Sequence, residues 1–134
     1  MTPYNDACPI IQGQRSVTGC VATAMAMILK YYEYPAKGKG NYSYTSNGVR
    51  YSFDYENTTF DWNDMLPQYI SGKYSTEQAN AVALLMYACG VSVEMEYSPS
   101  SSGAYSFKVG QALIDYFGYD ENLGYIYREY FTSE

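Results

Sequence analysis

The run Thr18-Gly19-Cys20-Val21-Ala22-Thr23-Ala24 holds the residue best suited to covalent chemistry in this chain. Cys20 follows a glycine and opens a segment of good helix formers that includes Ala22, Ala24, Met25, Ala26 and Leu29. A thiol there meets the positive end of a helix dipole and N–H groups without partners inside the helix. Such surroundings favour the thiolate, the nucleophilic form. Two other cysteines compete. Cys8 precedes Pro9 in loop-like sequence, and Cys89 falls at an expected helix C-terminus, where the dipole disfavours a thiolate. Cys20 therefore ranks first, against the plainer reading of a small residue buried in close helix packing. Gln14 lies six positions upstream, and the intervening loop can fold its amide back beside the thiol. Together with the Cys20 backbone N–H it would supply the two donors that an acyl-transfer oxyanion needs. The plainer reading of Gln14 is an exposed loop residue. The chain contains no histidine, so the usual base for a thiolate is missing.

Composition narrows the partners. The 134 residues are 47% hydrophobic and 16% charged, which fits one folded domain with a modest core. The net charge of −6, without a basic cluster, argues against nucleic acid. No apolar run approaches a membrane span, and Met1-Thr2-Pro3-Tyr4 has neither the basic start nor the apolar stretch of a signal peptide. Three widely spaced cysteines without histidine make neither a disulfide framework nor a zinc site; no metal or cofactor is implied. Tyrosine occurs 18 times, read as half-buried rings with hydroxyls at water or backbone, or alternatively as a peptide or carbohydrate groove.

The elements that must position the thiol follow from local pattern. Residues 1–19 are expected to be an irregular lead-in, broken by prolines and glycines. A helix is expected over 20–32, apolar nearly all round and hence interior, ended by Tyr34-Pro35. Tyr42, Tyr44, Tyr51, Phe53 and Tyr55 alternate with polar residues on either side of Asn47-Gly48, the signature of a hairpin. Asp61 to Leu66 suggests a short capped helical turn. Ser75 and Gln78 open a second helix with a capping box, and Gly90 is expected to stop it. Val91, Val93 and Met95 then suggest a strand, 98–103 a loop, residues 106–117 a third helix closed by Gly118, and Tyr125 to Phe131 an extended tail. No repeat or linker divides the chain, which reads as one unit over residues 1–134.

Several motifs agree, in order, with one known family. Pro3-Tyr4-Asn5, Cys8-Pro9, the run from Thr18 to Ala26, Lys30-Tyr31-Tyr32 and Tyr34-Pro35 make up the front part. Phe60 to Leu66, Gly90 to Val93, Tyr97 to Ala104 and Tyr116 to Tyr119 make up the rest. The chain resembles the streptopain family of papain-like bacterial cysteine peptidases along essentially its whole length. The resemblance implies an α+β fold, the helical left lobe of a papain-like domain, with a central buried helix, a β-hairpin insertion and two further helices. It implies that Cys20 is the nucleophile and Gln14 an oxyanion-hole residue. It also implies that Gly19, Tyr97 and the Ser100-Ser101-Ser102-Gly103 loop line the substrate cleft, the substrate being protein or peptide. A secreted or cell-surface location and an inhibitory pro-segment are implied as well.

The family's histidine lies in a second lobe, downstream of the segment that matches here. The chain is therefore expected to be inactive alone and to need a second lobe or companion chain, because a helix dipole cannot protonate a leaving amine. Two other readings compete: a non-catalytic module that binds peptide or glycan, and a different thiol acyltransferase such as a transglutaminase-like enzyme.

Overall fold

The computed structural model describes residues 3–122; the tail expected from Tyr125 to Phe131 lies outside them. The lead-in is less irregular than its prolines suggest. It holds a 3-10 turn over Pro3–Asn5 and a two-residue antiparallel pair, β1 (Ile10–Ile11) with β2 (Gln14–Arg15). Gln12 and Gly13 make the turn between them, both at positive φ.

The helix expected over 20–32 forms with those bounds, α1 (Cys20–Tyr32). It stops before the proline. Glu33 adopts the left-handed conformation and its N–H bonds back to the Lys30 carbonyl at 3.2 Å. The helix is central, but its burial is one-sided. Ala22, Met25, Ala26 and Leu29 are buried, whereas Met27 is 68% and Tyr31 80% exposed.

The hairpin of β3 (Asn41–Ser46) and β4 (Val49–Asp54) turns through Asn47 and Gly48, both at positive φ as a two-residue hairpin loop requires. Its register sets Tyr42 opposite Phe53 and Tyr44 opposite Tyr51 on the inward face. The expected turn after Asp61 is a 3-10 turn over Trp62–Asp64, though the Asp61 side chain does not cap it. Trp62, the single tryptophan, is buried against Phe60 and donates from Nε1 to the Pro35 carbonyl at 2.8 Å.

The second helix, α2 (Thr76–Ser92), opens with the expected capping box: Gln78 N–H to Ser75 Oγ at 3.1 Å, and Ser75 N–H to Gln78 Oε1 at 2.8 Å. Its end differs from expectation. The helix runs through Gly90, and Val91, Val93 and Met95 form no strand. Met95 N–H bonds to the Gly90 carbonyl at 3.0 Å and Glu94 N–H to the Val91 carbonyl at 3.1 Å. With Glu94 at φ 58°, this is a Schellman motif whose left-handed residue is a glutamate. The three apolar residues are fully buried beneath the turn. Gly90 serves packing instead: a Cβ there would sit 2.1 Å from the Tyr97 hydroxyl.

The third helix, α3 (Lys108–Asp115), is shorter at both ends than expected. Gly118, at φ 69°, follows in the turn that leads to Tyr119. Helices α1 and α2 pack together, and the hairpin lies across α2. Tyrosine hydroxyls tie these layers by donating to main-chain carbonyls: Tyr44 to Met95 and Tyr55 to Ala88, each at 2.6 Å, and Tyr69 to Gln78 at 2.7 Å.

Candidate functional site

The N-terminus of α1 is held between two segments. Residues 16–19 belong to no helix or strand, and Ser16 N–H bonds to the Pro9 carbonyl at 2.9 Å. Val17 N–H reaches the Ser98 carbonyl at 3.1 Å, and Thr18 N–H reaches Asn5 Oδ1 at 2.7 Å. The chain then turns at Gly19, with φ 90° and ψ 154°, a region that essentially only glycine occupies. A side chain there would also meet the Ser102 carbonyl at 3.0 Å and Met95 Cε at 3.1 Å. The Gly19 carbonyl accepts from Thr23 N–H at 3.1 Å and from Thr23 Oγ1 at 2.8 Å. Because a trans peptide sets its N–H opposite its carbonyl, these bonds aim the Cys20 N–H out beyond the start of the helix.

Cys20 is the first residue of α1 and is exposed; Cys8 and Cys89 are buried. Burial raises the Cys8 thiol above its ordinary value, and a hydrogen bond with Thr18 only partly offsets this. Burial raises Cys89 much further. Cys89 sits in the last turn of α2, so desolvation adds to the dipole that disfavours its thiolate.

The other expected residues fall into three groups. Gln14 is exposed on β2, upstream of the segment that leads to Cys20. The 98–103 loop lies beside Gly19 through the Ser102 carbonyl. Its base is an antiparallel bridge between Glu96 and Gly103, and its interior is tied by Ser98 N–H to Ser102 Oγ at 2.9 Å. Ser100, Ser101 and Gly103 are exposed, and Ser102 is buried by these bonds. Tyr97 is placed otherwise. Its ring is 5% exposed, packed on Tyr51 and Tyr87 with the hydroxyl over Gly90, so the side chain faces the core rather than a cleft.

A cavity of about 620 Å³ begins beside Gly19 and runs along the uncovered face of α1. Thr23, Met27 and Tyr31 form one row of its wall, four residues apart; Tyr4, Met65, Leu66 and Pro67 form part of the remainder. Cys20 is not among its lining residues. The groove was not foreseen, although the apolar character of α1 on all sides was a signal for a second packing surface. Among the described residues no group of three or more His, Cys, Asp or Glu is placed to hold a metal ion, and no helix is long and apolar enough to cross a membrane.

Fold and site together define an α+β unit presenting one exposed thiol at the start of its central helix. Compared with known families, residues 1–134 match the Peptidase C10 family, and the chain belongs to it. Streptopain of Streptococcus pyogenes is 39% identical over 98% of this chain and 37% of its own length. The thiol protease/hemagglutinin PrtT of Porphyromonas gingivalis is 36% identical over 94% of this chain and 15% of its own. Among solved structures, the active interpain A cysteine protease of Prevotella intermedia superposes with a TM-score of 0.80 at 37% identity. That match covers 99% of this chain and 62% of interpain A. The chain thus spans little more than a third of streptopain, 37%, and its architecture is that of the interpain neighbours.

Proposed function

We propose that the chain is the nucleophile-bearing lobe of a cysteine endopeptidase. The observation that carries this reading is the exposed thiol of Cys20 at the first position of α1, in a chain of this family. The thiolate attacks the scissile carbonyl carbon, and the carbonyl oxygen becomes an oxyanion. The Cys20 N–H, already aimed outward by the Gly19–Thr23 bonds, donates to it, and Gln14 supplies the second donor from β2. The amine leaves with a proton, and water then hydrolyses the thioester. The proton donor comes from another segment, since this chain has no histidine. The bare face of α1 supports that view: Met27 and Tyr31 form an apolar row that a second lobe would cover. The 98–103 loop borders the cleft through its exposed serines and main chain rather than through the Tyr97 ring. Secretion, an inhibitory pro-segment and a protein or peptide substrate belong to the same proposal. A prointerpain A fragment, 43% identical over 88% of this chain, supports the pro-segment.

The test has two arms. In the peptidase assembled with its histidine-bearing segment, Cys20→Ser abolishes peptide hydrolysis. A peptide-mimicking epoxide labels Cys20 there and spares Cys8 and Cys89. Assayed alone, the 134-residue chain shows negligible turnover. Cys20-dependent turnover by the chain alone would overturn the external proton donor. Unselective labelling with no hydrolysis in the assembled protein would favour a peptide- or glycan-binding module.

A further inference from the structure

The lead into Cys20 is clamped by a residue that the catalytic reading leaves unused. Asn5 closes the 3-10 turn near the start of the chain, its carbonyl accepting from Cys8 N–H at 2.9 Å. Its side-chain oxygen, Oδ1, accepts twice from one residue: from Thr18 N–H at 2.7 Å and from Thr18 Oγ1 at 2.9 Å. The Thr18 hydroxyl is shared with the Tyr4 carbonyl at 2.8 Å, and the Cys8 thiol lies 3.6 Å from it. Thr18 is buried, so water cannot replace these partners without opening the packing. At the preceding residue, Val17 N–H is bound to the Ser98 carbonyl. Residues 17 and 18 are therefore held by two different segments just before the thiol.

Resting on Cys20 as nucleophile, we propose that Asn5 is a positioning residue for it, acting through Thr18. Gly19 has no side chain, so nothing of its own restrains the turn; its orientation is set by what holds Thr18 before it and Thr23 after it. Loss of the Asn5 bonds lets the Thr18–Gly19 peptide rotate. The Cys20 Sγ and N–H then lose their common aim at the carbonyl and its oxyanion. An error of about 1 Å at such a point costs on the order of a hundredfold in rate.

The clamp is read directly by amide hydrogen exchange on this chain. In Asn5→Ala the Thr18 amide exchanges about tenfold faster or more, while the central amides of α2 keep their protection. Asn5→Asp keeps the accepting oxygen and restores protection. In the assembled peptidase, measured well below the melting temperature of each variant, Asn5→Ala lowers kcat by about tenfold or more with KM within about twofold, and Asn5→Asp recovers most of it. Thr18→Val repeats the loss and Thr18→Ser does not, which covers the case where Asn5→Ala fails to fold. Parent-like kcat in folded Asn5→Ala or Thr18→Val overturns the proposal. An active Cys20→Ser variant would instead sink the nucleophile reading, while the exchange data would still report on the clamp.

Discussion

At residue 19 the absence of one methyl group decides how near the 98–103 loop comes to the thiol. The φ/ψ pair there costs any other residue about 1–3 kcal/mol, and the space a Cβ would need is held by the Ser102 carbonyl and by Met95. Gly19→Ala is therefore expected to lose about that much stability in a denaturant melt. It should also lower kcat/KM of the assembled peptidase well beyond the loss in folded fraction, because the loop and the Cys20 N–H are displaced together. Parent-like kcat/KM would show that the approach of loop to thiol is irrelevant to catalysis. The place of Cys20 at the start of α1 was legible in the sequence because it depends on its immediate neighbours, a glycine before it and helix formers after it. Tyr97 was not. Its neighbours Ser98 to Gly103 are polar and loop-like, and only the distant Tyr51, Tyr87 and Gly90 draw its ring inward. The bond between Asn5 and Thr18 was not legible for the same reason, since the two lie thirteen positions apart.

The starts of α2 and of the hairpin obeyed local rules, and the end of α2 did not. The Ser75–Gln78 box and the Asn47-Gly48 loop each complete their hydrogen bonds within a few residues. Both α1 and α2 end on left-handed glutamates, Glu33 and Glu94; α1 still stops where expected, before Tyr34-Pro35, whereas α2 runs past Gly90. The misplaced stop at Gly90 has a measurable counterpart. Overpacking of this kind typically costs about 1–3 kcal/mol, and Gly90→Ala is expected to fall in that range. The intruding atom is the Tyr97 hydroxyl, which is buried without a hydrogen-bond partner among the described residues. Adding Tyr97→Phe removes that atom at little cost and should recover part of the loss, a coupling that a double-mutant cycle of melts will detect. Additive effects would mean that the hydroxyl is not what Gly90 makes room for.

Over the whole molecule, Glu94 joins parts of the chain that no local rule connects. It ends α2, accepts from Tyr42 on the hairpin at 2.7 Å, and pairs with Lys108 of α3 at 3.3 Å. The Tyr42 hydrogen bond is the main influence holding the Glu94 carboxyl below its ordinary value; burial opposes it and Lys108 assists. The Tyr42 hydroxyl is correspondingly pushed up to about 12, by burial first and by Glu94 next. A carboxylate depressed in the folded state contributes stability above the unfolded glutamate value of about 4.3, and this is lost as pH falls from there through the lower folded value. The melting temperature should thus fall less steeply with acid in Glu94→Gln than in the parent, by a modest amount because the pair is partly exposed. Identical acid profiles would remove Glu94 from this role.

A scarce chromophore is already installed at the junction that such measurements must follow. Trp62 is the sole indole among 18 phenol rings. It lies buried against Phe60, its N–H tied to the backbone just past the central helix. Emission excited in the indole band therefore comes from one known place, and it shifts to the red when that junction admits water. The protein reports its own unfolding, with no label added.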